Sequence, residues 1–128
     1  VQTGVWFTEA MIAGLAIGCL SAVLISINNL RDVDEDRGNG KNTLAVKWGR
    51  AASVNLVRVM TVTAYVCAIV LFESGLNLLY FLPALFMGMF IIRSICKHPP
   101  GVIYNKFLAF SALQLIFYAG AFMMNTCS

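Results

Sequence analysis

The sequence predicts an all-α fold, a polytopic bundle of transmembrane helices, and three observations predict it. Of 128 residues, 59% are hydrophobic and 12% charged, whereas a soluble domain has about 45–50% apolar and about 25% charged residues. The mean hydropathy is +0.79. The apolar residues fall into four runs of about 18–22, the length a bilayer-crossing helix needs. Lipid satisfies no backbone polar groups, so each run is read as a helix. The same composition excludes a large soluble catalytic domain, a nucleic-acid-binding module and a disordered tail.

The first span is expected over about 9–30, with no charge between Ala10 and Leu30. The second, about 51–72, contains one charge, Arg58, which is expected to snorkel to the interface; contact with a phosphate group is the alternative. The third, about 75–92, has Pro83 near its middle, which predicts a kink. The fourth, about 106–125, has one strongly polar interior residue, Gln114, suited to an interhelical hydrogen bond. Residues 31–50 are expected to form a polar, aspartate-rich loop. The Phe and Met cluster from Phe86 to Phe90 reads as lipid-facing or packing surface, and Trp48 and Tyr104 as interfacial anchors.

Charge placement predicts orientation. Every Lys and Arg lies in one of two segments. Arg31, Arg37, Lys41, Lys47, Arg50 and Arg58 fall in 31–58, and Arg93, Lys97 and Lys106 in 93–106. Four alternating spans put both segments on one side, leaving Glu9 and Glu73 on the other. The positive-inside rule makes the basic side cytoplasmic and points both chain ends outward. The net charge of +3 reflects this asymmetry, and no nucleic-acid partner is expected. The chain starts at Val1 without a leader-like segment, which reads as a piece of a longer chain or a processed product. Cys19, Cys67, Cys96 and Cys127 show no metal-ligand spacing and are expected to be free thiols packed as small hydrophobes. His98, beside Pro99 and Pro100, is expected to be solvated.

One stretch is unlike the rest. Four of the six acids lie between Asp32 and Asp36. A solvated charged loop is the plain reading, but Asn28, Asp32 and Asp36 recur at intervals of four. If the first helix continues past the interface, they share one face, with neighbours roughly 5–6 Å apart. Like charges so placed repel unless a cation lies between them. Magnesium is the natural candidate, since it is held by one or two carboxylates plus substrate phosphates. Arg31, Arg37 and Lys41 flank the acids. A metal alone would not need them, but a metal-bridged diphosphate would, because its oxygens take direct cationic donors. Gly38 and Gly40 permit a tight turn that exposes N–H groups.

Here the chain resembles a known family. The run Asn28-Asn29-Leu30-Arg31-Asp32-x-x-x-Asp36-x-x-x-Gly40-Lys41-x-Thr43-Leu44-Ala45-Val46 covers nineteen positions and looks like the second aspartate-rich motif of UbiA-type membrane prenyltransferases. Its Asn-Asn-x-Arg-Asp opening and Gly-Lys-x-Thr-Leu-Ala ending look most like the menaquinone-pathway branch, whose acceptor is 1,4-dihydroxy-2-naphthoate. The resemblance implies the C-terminal part of a nine-span helical fold in a bacterial inner membrane. It implies that Asp32 and Asp36 are the catalytic residues that bind Mg2+, and that Asn28, Arg31 and Lys41 bind the diphosphate of a prenyl diphosphate. The implied reaction transfers a polyprenyl group to an aromatic acceptor: diphosphate departs, an allylic cation forms, and an electron-rich ring carbon attacks it. A dihydroxynaphthoate would also lose its carboxylate as carbon dioxide. The departure from the family pattern is that only the second motif is present. Roughly the N-terminal half is therefore expected to be missing, and the chain inactive by itself.

Other readings fit less well. A 4-hydroxybenzoate-type or other UbiA-type prenyltransferase shares the motif and differs in acceptor. A CDP-alcohol phosphatidyltransferase needs Asp-Gly where Asp36 precedes Arg37. Soluble prenyl-chain synthases need D-D-x-x-D and a soluble composition. A membrane transporter or structural subunit with an interfacial ion site is the alternative of another class, but transporter sites lie near the bilayer midplane.

Overall fold

The computed structural model describes residues 2–72 and 75–127. Glu73, Ser74 and Ser128, expected on the side opposite the basic segments, lie outside the described residues, as does Val1. The element order is α1 (Gln2–Arg31), α2 (Val33–Gly38), α3 (Leu44–Leu71), α4 (Gly75–Leu78), a 3-10 turn (Leu79–Phe81), α5 (Leu82–Lys97) and α6 (Tyr104–Cys127). No strand occurs among the described residues. Among the described residues four stretches are long and apolar enough to cross a membrane: Gly4–Arg31, Leu44–Leu71, Gly75–Lys97 and Tyr104–Cys127. These are the four expected spans, each longer than hydropathy alone suggests. A helix runs on through Arg93 to Lys97 because a cation in the last turn complements the C-terminal end of the helix dipole.

Three local expectations are corrected. Residues 31–50 are not an irregular loop, since α2 and the first turn of α3 occupy much of them. Pro83 does not kink the middle of a helix. It stands in the first turn of α5, where a missing N–H costs nothing, and the irregularity lies just before it in the 3-10 turn. Tyr104 is no interfacial anchor. It is fully buried, and its hydroxyl donates to the His98 carbonyl at 3.0 Å. Trp48 is exposed, as an anchor should be. Gly49, with φ +84°, interrupts α3 just after it, so the short piece bearing Trp48 leaves the line of the membrane helix.

Among the described residues the bundle has two cores. One, towards the end without basic residues, gathers Ala16, Leu20, Ala64, Phe81 and Tyr118. The other, towards the basic end, gathers Val23, Ile27, Val57, Ile91 and Ile95. A polar contact ties three helices together as well. Gln114 of α6 is buried and donates from Nε2 to the Tyr65 hydroxyl of α3 at 3.2 Å, the expected interhelical bond. Gly88 of α5 makes room for it. A Cβ there would approach Gln114 Nε2 to 2.5 Å and Thr61 Cγ2 to 3.1 Å. The neighbouring Phe86, Met89 and Phe90 are exposed, as expected of lipid-facing side chains.

The basic end is closed by side chains that take up the last carbonyls of α5. Arg50 donates from Nη2 to Ile95 O at 2.7 Å and His98 O at 2.6 Å, groups with no partner inside the helix. His98 is half-buried rather than solvated, with Nδ1 on Ser94 O at 3.0 Å and its ring tilted against Phe107. Arg58 is exposed and reaches Asn55 Oδ1 and Cys96 Sγ, both at 3.1 Å, which agrees with a snorkelling side chain. All four cysteines are free. Cys19 and Cys67 pack in the core as expected, whereas Cys96 and Cys127 are exposed.

Candidate functional site

The acidic stretch begins where α1 ends. The helical ladder continues across the junction: Asp32 N donates to Asn28 O at 3.2 Å, and Asp36 N to Asp32 O at 2.8 Å. Asn28, Asp32 and Asp36 are therefore one turn apart along one face, as the four-residue spacing predicts. Asp34 projects elsewhere, is almost fully exposed, and pairs only loosely with Arg37 at 3.7 Å.

Each carboxylate on the shared face has its own cation. Arg31 grips Asp32 with two bonds, Nε to Oδ1 at 2.6 Å and Nη2 to Oδ2 at 2.7 Å, the geometry that makes such pairs strong. Those bonds hold the Asp32 carboxyl below the usual carboxylate range, with a smaller contribution from the charge of Lys41. Lys41 Nζ binds Asp36 Oδ1 at 3.0 Å. Asp36 is buried and Lys41 exposed, and the contact with Asp36 pushes the Lys41 ammonium up from its ordinary value.

Local backbone structure places Lys41. Helix α2 ends in a Schellman arrangement, with Lys41 N donating to Asp36 O at 2.9 Å and Gly40 N to Arg37 O at 3.3 Å. Gly40 takes φ +72°, a conformation costly to any residue with a Cβ. Lys41 is thus tied to Asp36 by main chain and side chain together. This corrects the expectation that Gly38 and Gly40 expose N–H groups. The Gly40 N–H caps the helix, and Gly38 belongs to α2 without a positive φ. Thr43 then starts α3, its Oγ1 accepting from Val46 N at 3.4 Å. We expect Gly40→Ala to loosen the Lys41–Asp36 pair and to destabilise the turn by about 1–2 kcal/mol. Gly40→Asn, which tolerates this region, should cost less. Hydrogen exchange at the Lys41 amide would read the difference.

One participant has no signal in the acidic motif. Asn105, at the start of α6, accepts from Arg31 Nη1 at 2.9 Å across a separation of 74 residues. It fastens the far side of the Arg31 guanidinium to another helix. Only its place beside Lys106 at the start of the last span could have drawn attention to it. The Asn28 side chain is half-buried on the shared face and makes no hydrogen bond among the described residues.

Among the described residues no group of three or more acid, His or Cys side chains could cage a metal ion. The oxygen donors are two carboxylates and an amide spaced by single turns. That set suits a hard cation whose remaining positions are filled by phosphate and water, and does not suit an all-protein site. Because Arg31 depresses the Asp32 carboxyl, its pairing contributes fully above the ordinary carboxylate pKa of about 4 and is lost only as pH falls through the lower folded value. Arg31→Gln should therefore raise the Asp32 midpoint, read by carbon-13 NMR of labelled aspartate. An unmoved midpoint would remove Arg31 as the cause.

The 1,4-dihydroxy-2-naphthoate octaprenyltransferase of Escherichia coli (strain K12) is 42% identical over 53 residues, 36% of this chain and 17% of that protein. The protein of the same name from Haemophilus influenzae is 27% identical over 120 residues, covering 91% of this chain and 39% of the relative. That of Bacillus subtilis (strain 168) is 28% identical over 75 residues, 59% and 24% of the two chains. The chain thus spans well under half the length of these curated relatives. No solved structure matches. The model of the UbiA prenyltransferase family matches residues 1–111, and on that match the chain belongs to the UbiA prenyltransferase family.

Proposed function

We propose that this chain carries one half of the diphosphate site of an integral membrane prenyltransferase, which moves a polyprenyl group from a prenyl diphosphate to 1,4-dihydroxy-2-naphthoate in menaquinone biosynthesis. The observation that carries the proposal is the pair of carboxylates one turn apart, Asp32 and Asp36, each already matched to a cation at the basic end of the bundle. The names of the three relatives support the acceptor. The concentration of all Lys and Arg at this end supports a cytoplasmic site in a bacterial plasma membrane. The proposal assigns a first aspartate-rich motif to a part of the protein N-terminal to these residues, making this chain the C-terminal part of the domain.

Asp32 and Asp36 would hold Mg2+, with Asn28 one turn before them. Magnesium supplies, when bound, neutralisation of the diphosphate oxygens. The cations do the rest of the electrostatic work. Arg31 and Lys41 pair with the two carboxylates before substrate arrives, and both have donors to turn towards phosphate oxygens once the carboxylates are engaged. Negative charge on the departing diphosphate then meets preorganised donors, the usual source of large rate effects. The Arg31–Asn105 bond resists rotation of the guanidinium out of the site. The apolar helices keep water from the allylic cation.

The test is prenyl transfer by the full-length protein, with 1,4-dihydroxy-2-naphthoate and 4-hydroxybenzoate offered in parallel. Turnover is expected with the first and not the second. Transfer to 4-hydroxybenzoate alone would change the acceptor and leave the diphosphate site standing. No transfer to either would remove the reading.

A further inference from the structure

The acidic site uses Arg31 and Lys41, but three other cations meet at a different place. Arg93 and Lys97 of α5 and Lys106 of α6 line one cavity of about 470 Å³ between the two helices. No acid lines it. Among the described residues none of the three cations has an ion pair, all three are exposed, and none of the acidic-site residues contributes to it. Basic residues at this end follow from the positive-inside pattern, but their convergence on one concavity does not.

The floor of the cavity is aromatic. Phe90, Phe107 and Phe110 line it, and Phe90 meets Phe110 edge to face at 5.2 Å. Phe90 and Phe110 also line a second cavity of about 250 Å³, completed by Phe86 and Met87 and carrying no charged residue. Along α5 the order is Phe86, Met87, Phe90, Arg93, Lys97. At 1.5 Å per residue, the groove therefore passes from apolar to cationic over roughly 16 Å. That gradient runs along α5, with the cations towards its C-terminal end.

We infer that the α5–α6 groove binds an anionic phospholipid, with its phosphate among Arg93, Lys97 and Lys106 and an acyl chain along Phe90, Phe110 and Phe86. A free phosphate would use the cations and leave the apolar lower half unused. A zwitterionic lipid would fill the lower half but bring its own cation against three others. An anionic phospholipid matches both halves, and basic pockets between transmembrane helices are where such headgroups are held. Lys106, which lines the groove, follows Asn105 in α6, so occupancy there would steady the helix end that holds Arg31.

The test uses the full-length protein in bilayers, with Trp6→Phe and Trp48→Phe to remove the native tryptophans of this chain and Phe110→Trp as reporter; any tryptophan elsewhere in the protein is likewise replaced by Phe. Phosphatidylglycerol or phosphatidylcholine with brominated chains is titrated at equal mole fraction. Phosphatidylglycerol should associate at least about tenfold more strongly, as expected for several cations near a headgroup. The preference should disappear in Arg93→Gln/Lys97→Gln/Lys106→Gln and persist in Lys97→Arg/Lys106→Arg, with phosphatidylcholine quenching unchanged in both. Millimolar glycerol phosphate should not abolish it. Equal quenching by the two lipids, a preference that survives neutralisation, or displacement by glycerol phosphate would overturn the proposal. So would absence of quenching by either lipid, which would mean that protein covers the groove.

Discussion

Asp32→Ala or Asp36→Ala in the full-length protein is expected to lower prenyl transfer by about 10²–10³-fold or more, the scale for losing a group that stabilises charge in a transition state. Membrane insertion should be unaffected, because both residues lie beyond the spans and their loss removes charge rather than apolar surface. Asp34→Ala should leave activity within about twofold, as surface changes away from a site commonly do. The contrast rests on geometry: Asp34 is exposed and loosely paired, whereas Asp32 and Asp36 share the face that carries Arg31 and Lys41. Alanine at Lys41 is expected to act in two ways. It removes the proposed donor to diphosphate and leaves the buried Asp36 carboxylate without its partner, so it should lower both activity and stability. An assay in which Asp34 is essential and Asp36 dispensable would defeat the facing argument.

The second large effect lies in the bundle. Gly88→Val should destabilise the protein by about 1–3 kcal/mol, the usual cost of overpacking a core position. Its first added carbon already falls 2.5 Å from Gln114 Nε2. Gln114 must yield, and the bond to Tyr65 goes with it, stranding buried polar atoms. In a double-mutant cycle, Gln114→Ala should absorb much of the cost of Gly88→Ala, since the clash and the lost bond share one partner. Unfolding in detergent would supply the four stabilities. Independent, additive costs would show that Gly88 and Gln114 do not meet as described.

Much of this was legible in the sequence because the bilayer leaves few choices. Four apolar runs became four helices, and Gln114, alone among apolar neighbours, had to find a partner on another helix. Asn28, Asp32 and Asp36 were placed by spacing, because a helix that continues past the interface fixes which residues stack. What escaped depends on tertiary contacts that carry no local pattern. Asn105 is one polar residue among several at a helix start until Arg31, 74 positions earlier, is brought to it. Tyr104 is indistinguishable in sequence from an interfacial anchor, and only the carbonyls at the end of α5 turn its hydroxyl inward. Gly88 lies inside a run that reads as lipid-facing, since a glycine announces close approach only when its neighbour is known. Helix ends ran past the hydropathy limits because backbone ladders, capped by Arg50 or by the turn at Gly40, outlast the apolar stretch.

Titration calorimetry of magnesium into the full-length protein reads whether Asp32 and Asp36 hold a cation for the sake of a diphosphate. Titrations are run with and without a non-hydrolysable prenyl diphosphate analogue. Weak magnesium binding is expected alone, because two carboxylates already matched to cations make a poor site. Affinity should be markedly higher with the analogue present, and the analogue should in turn bind more tightly with magnesium, by the same factor. Asp36→Asn should abolish this coupling. Magnesium binding of equal strength with and without the analogue would rule out the diphosphate role and leave the acidic cluster as an ion site of another kind.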